Sequence, residues 1–290
     1  MIHLRPSPHR WGVCLQTLMA LLVSALIAGC QSPRQALQQL ADEHGRQLQI
    51  LPGQPFALAA LAALLPTGVQ PARRLRVYLE GDGHAWATAT QPSLDPSPRK
   101  LLVPRLAIDD PTPNAYLARP CQFVTSPDCK TALWTDRRFS QEVVTSLSHA
   151  LDLLKQRYGN QSFELVGYSG GGALALLLAA QRDDVTQVQT LAGNLSPRLW
   201  AHTHNLTPLA GSLDPLDYQR RLAGIPQRHF SGTLDKVVPT ALAQTYRERL
   251  RSGVCNRLVV VEGVNHEAGW DSVWRLWRDR DLERAGECTD

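Results

Sequence analysis

The chain has 290 residues, 43% of them hydrophobic and 19% charged, with a formal net charge of +4. That length and apolar content suit one large domain, and no linker-like break, internal repeat or long low-complexity tract divides it. Acidic and basic residues are interspersed, so no electrostatic footprint for nucleic acid is present.

Met1 to Arg10 carry Arg5 and Arg10 without an acid, and Val13 to Ala28 are mostly apolar. The run is too short for a membrane span, and residues 1–29 have the make-up of a secretion signal. It ends in Leu26-Ile27-Ala28-Gly29-Cys30. This stretch resembles the lipobox of bacterial lipoproteins, which implies a diacylated Cys30 as the first mature residue. Gln31, not aspartate, follows, and in such lipoproteins that implies sorting to the outer membrane, facing the periplasm. The partner implied is the membrane, met through a lipid anchor. The other reading is an ordinary signal peptide with Cys30 as a plain thiol.

Four cysteines remain beyond Cys14 and Cys30: Cys121, Cys129, Cys255 and Cys288. An even number in an oxidising compartment favours disulfides, and four cysteines allow three pairings. Pairing neighbours along the chain joins Cys121 to Cys129 and Cys255 to Cys288. Zinc is the rival, without a C-x-x-C pair to support it.

Residues 30–45 read as a lipidated tether and a first amphipathic helix, ahead of a domain over 46–290. Arg46–Leu51 and Phe56–Ala63 are expected to be antiparallel strands, and Leu75–Leu79 a firmer strand. Pro98–Ile108 is expected to be a helix, Asn114–Leu117 a strand, and Phe139–Tyr158 a helix that stops near Gly159. Phe163–Val166, Val185–Leu191, Arg228–Ser231 and Arg257–Glu262 are the remaining strands, with helices expected at Thr240–Leu250 and Trp270–Leu282. Residues 194–224 show no clear alternation. Strands alternating with helices argue for a mostly parallel α/β sheet, with its active site beyond the strands' carboxyl ends.

Gly167-Tyr168-Ser169-Gly170-Gly171 fits G-x-S-x-G, with an apolar strand before it and an alanine- and leucine-rich helix after it. That combination is a nucleophile elbow: a serine on a tight turn, with glycines where strand and helix approach too closely for side chains. A serine hydroxyl is a poor nucleophile near neutral pH and needs an adjacent base. His266 lies in the loop after the last expected strand. His149 and His229 fall inside a helix and a strand, where packing suits them better. Asp235 follows the preceding strand and is the candidate to orient the imidazole. Asp214 and Asp217 are the fallback. His202 and His204 could share a metal on a strand, but no third ligand has suitable spacing, so no metal is expected.

The GYSGG, GTLDKVVP and VNHEAGW segments, in the order Ser, Asp, His, resemble the α/β-hydrolase superfamily over nearly all of the mature chain. The resemblance implies a sheet of about eight strands, helices on both faces and a small cap, here residues 194–224. It implies an oxyanion hole from the Gly170 N–H and an N–H of the loop after β-strand Leu75–Leu79. Gly81 matches the superfamily's glycine and Asp82 the donor after it. Glu80 stands where histidine is usual, which keeps Gly83 open as the alternative. Tyr168, His84, Trp86 and Trp200 are candidate substrate contacts, and Leu199, Trp134, Arg137 and Arg138 are further candidates for the pocket wall. The function implied is a serine hydrolase, foremost a carboxylesterase of small-molecule or acyl esters, without a cofactor. Peptidase, thioesterase or acyltransferase chemistry would use the same residues, and a non-catalytic ligand-binding lipoprotein on a hydrolase scaffold is the alternative of another class.

Overall fold

The structure, a computed structural model, describes residues 31–63, 73–250 and 256–282. The signal segment, Cys30, Cys255 and Cys288 lie outside the described residues. Eight strands form one sheet: β1 (Arg46–Leu51), β2 (Leu58–Ala63), β3 (Arg74–Leu79), β4 (Asn114–Leu117), β5 (Ser162–Tyr168), β6 (Val185–Leu191), β7 (Gln227–Gly232) and β8 (Asn256–Val261). Their order is β1-β2-β4-β3-β5-β6-β7-β8. The β1–β2 and β2–β4 pairs are antiparallel, and every pair beyond β4 is parallel.

Alternation along the strands feeds two apolar layers. Leu75, Val77 and Leu79 of β3 and Phe163 and Leu165 of β5 pack with the helices Gln141–Tyr158, Gly170–Gln181 and Thr240–Leu250. Tyr78, Val166 and Phe230 face the other way, towards the helices Pro33–Glu43, Leu102–Ile108 and Trp270–Trp277. Strand β2 has four alanines, poor strand formers, yet Ala59 to Ala62 are buried between both layers, and packing overrides propensity. The expected helix over 98–108 begins only at Leu102, which puts Pro104 in the first turn, where its missing N–H costs no helical bond. The helix Gln141–Tyr158 stops at Gly159, a left-handed cap with φ 65°. The last helix ends at Trp277, short of the expected Leu282.

One face also carries a polar row. Arg76 of β3 lies 2.8 Å from Asp110 and 3.0 Å from Glu164 of β5, and Gln189 of β6 donates to Glu164 at 2.7 Å. Arg228 of β7 then donates to Gln189 and to the carbonyls of Trp277, Arg280 and Asp281. The row ties the C-terminal helix to the sheet.

Candidate active site

The site starts from a strained residue. Ser169 has φ 51° and ψ −123°, a left-handed conformation that a side chain rarely adopts and that the turn between β5 and the next helix imposes. The glycines are there for space. A Cβ on Gly167 would stand 2.3 Å from the Gly171 carbonyl oxygen, and one on Gly171 would stand 2.4 Å from that of Leu79. The serine backbone is pinned to β6, donating to the Leu191 carbonyl at 3.0 Å.

Ser169, His266 and Asp235 form one hydrogen-bonded chain. His266 Nε2 lies 3.0 Å from Ser169 Oγ, and its Nδ1 lies 2.8 Å from Asp235 Oδ2. With a carboxylate on Nδ1, the proton sits there, and Nε2 is left to accept the serine proton. Asp235 is buried, and its Oδ1 accepts the N–H groups of Val237 and Val238 at 2.8 Å each. The His266 loop is fixed through its own carbonyl, which accepts Tyr168 Oη–H at 2.8 Å and Trp270 Nε1–H at 2.9 Å. Asp214 is occupied elsewhere, holding Ser196 and the Arg198 and Leu216 N–H groups.

The loop after β3 lies directly against the elbow. A Cβ on Gly170 would fall 2.1 Å from Asp82 Oδ1, so this carboxylate rests on the serine turn. Arg119 Nη1 and Arg138 Nε, the latter at 3.1 Å, bind it. Burial would raise the Asp82 pKa, but Arg138 and Arg119 outweigh it and hold the group below its ordinary value. The two guanidiniums thus hold an ionised carboxylate against the serine turn. Gln122 donates to the Gly81 carbonyl at 3.0 Å and accepts the Arg119 N–H at 3.0 Å. Because a trans peptide points its N–H opposite its C=O, the Asp82 N–H faces away from Gln122. Among the described residues, no acceptor takes the N–H groups of Gly170, Asp82 or Gly83. The loop with Gln122, just after Arg119, is closed by the Cys121–Cys129 disulfide. Glu80, at the floor, accepts from the Gly81 N–H at 2.9 Å and from Tyr116 Oη–H at 2.8 Å, and burial pushes its pKa up to about 7.

Ser169 and His266 open into a cleft of about 440 Å³ whose walls include Glu80, Asp82, His84, Leu102, Tyr168 and Val237. His84 and Tyr168 thus lie at the cleft as expected, while Trp86 and Trp200 do not line it. Trp200 instead donates to the Val237 carbonyl and stacks on Arg138. Trp134 is buried and donates to Ser93, Arg137 pairs with Glu142 at the surface, and Arg138 works from beneath Asp82. None of residues 194–224 lines this cleft; Leu216 and Leu222 pack in the layer of the elbow helix. His202 and His204 sit at the end of the helix Pro197–Thr203, not on a strand, and His204 Nε2 lies on the Val237 carbonyl. Among the described residues, no three His, Cys, Asp or Glu side chains are grouped to hold a metal. Arg119, Gln122 and Trp270 were not expected at the site. The cysteines flanking Gln122 were the available signal for two of them.

No family model matches the chain, and neither does any curated protein. Solved structures do. TT1662 from Thermus thermophilus is 16% identical, with a TM-score of 0.52 over 81% of this chain and 99% of that one. An esterase of Pyrococcus furiosus is 11% identical, with a TM-score of 0.57 over 82% and 91%. The chain has the α/β-hydrolase fold. An acylaminoacyl peptidase of Pyrococcus horikoshii shares it too, with 10% identity and a TM-score of 0.59 over 84% of this chain but only 43% of that one.

Proposed function

We propose that this protein is a lipid-anchored serine hydrolase, foremost a carboxylesterase, held by Cys30 at the outer membrane and facing the periplasm. The observation that carries the reading is the chain from Ser169 Oγ through His266 to Asp235, at 3.0 and 2.8 Å, on a serine with positive φ. Ser169 Oγ attacks the ester carbonyl carbon while His266 Nε2 takes its proton. The oxygen that becomes negative is met by the Gly170 and Asp82 N–H groups. The C–O bond then breaks, and the proton on His266 leaves with the alcohol. Water, deprotonated by His266, releases the acid and restores Ser169. Asp235 keeps the imidazole in the required tautomer and stabilises its charged form.

The lipid anchor rests on the lipobox-like Leu26 to Cys30. Among the described residues, no helix is long and apolar enough to cross a membrane.

A screen of purified protein against short esters, thioesters and peptide substrates tests the reading. Ester turnover is expected to exceed the other two classes, and Ser169→Ala is expected to abolish it. Asp235→Asn is expected to lower kcat by up to about 10⁴-fold. Ester turnover that survives Ser169→Ala would overturn the assignment. Cys30→Ser is expected to leave the protein unprocessed or soluble; wild-type protein without acyl chains would remove the anchor from the account.

A further inference from the structure

The cleft above Ser169 does not end at its own rim. It shares His84 and Arg99 with a second groove of about 760 Å³, whose walls include Ser32, Pro33, Ala36, Ala87, Pro92 and Leu94. This second groove is mostly apolar and leads away from the serine towards the first described residues. Gln31 itself stands on its wall.

Exposed apolar side chains stand on the loops beside this path. Leu94 is 99% exposed, and Trp86 is exposed on the same loop after β3. Leu234 and Val237 are exposed on the loop after β7, and Val237 also borders the cleft. Four of the eight large hydrophobic side chains exposed among the described residues therefore sit on the two loops that flank Ser169. Grouped apolar exposure of this kind marks a surface that meets something. Arg34 and Arg99 are exposed on the same side, with Asp95 the one exposed acid among the lining residues there, and the two cations suit anionic headgroups.

Chain length says what it meets. The helix Pro33–Glu43 begins two residues after Gln31 with Ser32 as its cap, so only Gln31 and Ser32 separate Cys30 from fixed structure. Three residue steps reach at most about 10 Å. An acylated Cys30 would hold the face with the second groove within about that distance of the headgroups.

We propose that this face rests on the bilayer and that the substrate is a membrane-resident amphiphilic ester. Its ester group lies at Ser169 and its apolar arm lies in the groove between the loop 84–97 and residues 31–36. This rests on the lipid-anchored hydrolase reading and adds the substrate class and the docking surface. The chemistry is unchanged: the acyl group passes to Ser169, the alcohol leaves with the proton from His266, and water completes the hydrolysis.

The test uses the full acylated chain in vesicles of phosphatidylethanolamine and phosphatidylglycerol. Turnover of p-nitrophenyl palmitate carried in the vesicles is compared with that of p-nitrophenyl butyrate in solution. Leu94→Asp is expected to lower the palmitate-to-butyrate ratio by about tenfold, the factor for ~1.4 kcal/mol of lost interaction. Leu94→Phe and, near the C-terminal end of the helix Trp270–Trp277 and outside both grooves, Leu276→Asp are expected to keep the wild-type ratio. A wild-type ratio in Leu94→Asp, or an equal fall in Leu276→Asp, overturns the proposal while leaving the hydrolase reading in place. If wild-type protein turns over neither ester, the hydrolase reading fails, and this substrate class goes with it.

Discussion

Gln122 donates its side-chain N–H to the carbonyl of Gly81 at 3.0 Å, and that bond sets the plane of the peptide whose other end is the Asp82 N–H. A donor aimed at a developing oxyanion is effective only if it is aimed before the reaction starts. Gln122→Ala is therefore expected to lower kcat by about 10–100-fold with little change in KM. Steady-state kinetics on one soluble ester checks this. A loss confined to KM would make Gln122 a binding residue instead.

The Cys121–Cys129 bridge closes the loop that presents Gln122, with a sequence separation of 8. Replacing both cysteines with serine is expected to cost about 2–3 kcal/mol of stability in the chain-entropy model. It should also lower kcat in the same sense as Gln122→Ala. The two changes combined should fall short of the product of their separate effects, because they act through one peptide. Independent effects would show that the bridge serves stability alone.

Tyr168 ties the elbow to the loop that carries His266. It borders the cleft, but its hydroxyl is spent on the His266 carbonyl at 2.8 Å. Tyr168→Phe is expected to lower kcat modestly and leave KM unchanged, with about 0.5–1.5 kcal/mol lost in stability. A change in KM alone would return Tyr168 to substrate contact.

Glu80 couples the site to pH. Burial raises its pKa in the folded protein from the ordinary 4.5 to about 7. The unfolded chain therefore loses this proton first, and the stability it confers is complete below about pH 4.5 and lost as pH rises to about 7. At 1.36 kcal/mol for each pH unit, the loss is about 3 kcal/mol. Urea unfolding of wild type and Glu80→Gln is expected to show the variant gaining on wild type across that window. A difference independent of pH would contradict the assignment.

Arg76 sits between Asp110 and Glu164 with hardly any exposure, so removing it strands buried charge. Arg76→Met is expected to cost about 3–5 kcal/mol, and adding Glu164→Gln is expected to recover part of that. Thermal melting distinguishes this from simple additivity.

What could be read from the chain follows a physical divide. Ser169, Asp235 and His266 stand in short local patterns, because a tight turn and a loop at a strand end each constrain their immediate neighbours. The strands β3, β5 and β6 were legible for the same reason, as apolar runs bounded by turns. Gln122 on Gly81, Arg119 and Arg138 on Asp82, and the row from Asp110 to Arg228 join residues far apart in sequence. No local periodicity encodes such pairs. Strand β2 was only weakly legible, since its alanines are chosen by the space between two layers. Trp200, expected over the serine as part of a cap, lies on the helix Pro197–Thr203 and turns to the Val237 carbonyl and Arg138, partners far away in sequence.

Ser169 is proposed as a nucleophile activated by His266, and incubation with a fluorophosphonate followed by peptide mass spectrometry reads that activation at the atom concerned. A single adduct is expected, with loss of fluoride and attachment of phosphorus to Ser169 Oγ, absent in Ser169→Ala and strongly slowed in His266→Ala. An adduct on another residue, or labelling that persists undiminished in Ser169→Ala, would contradict it.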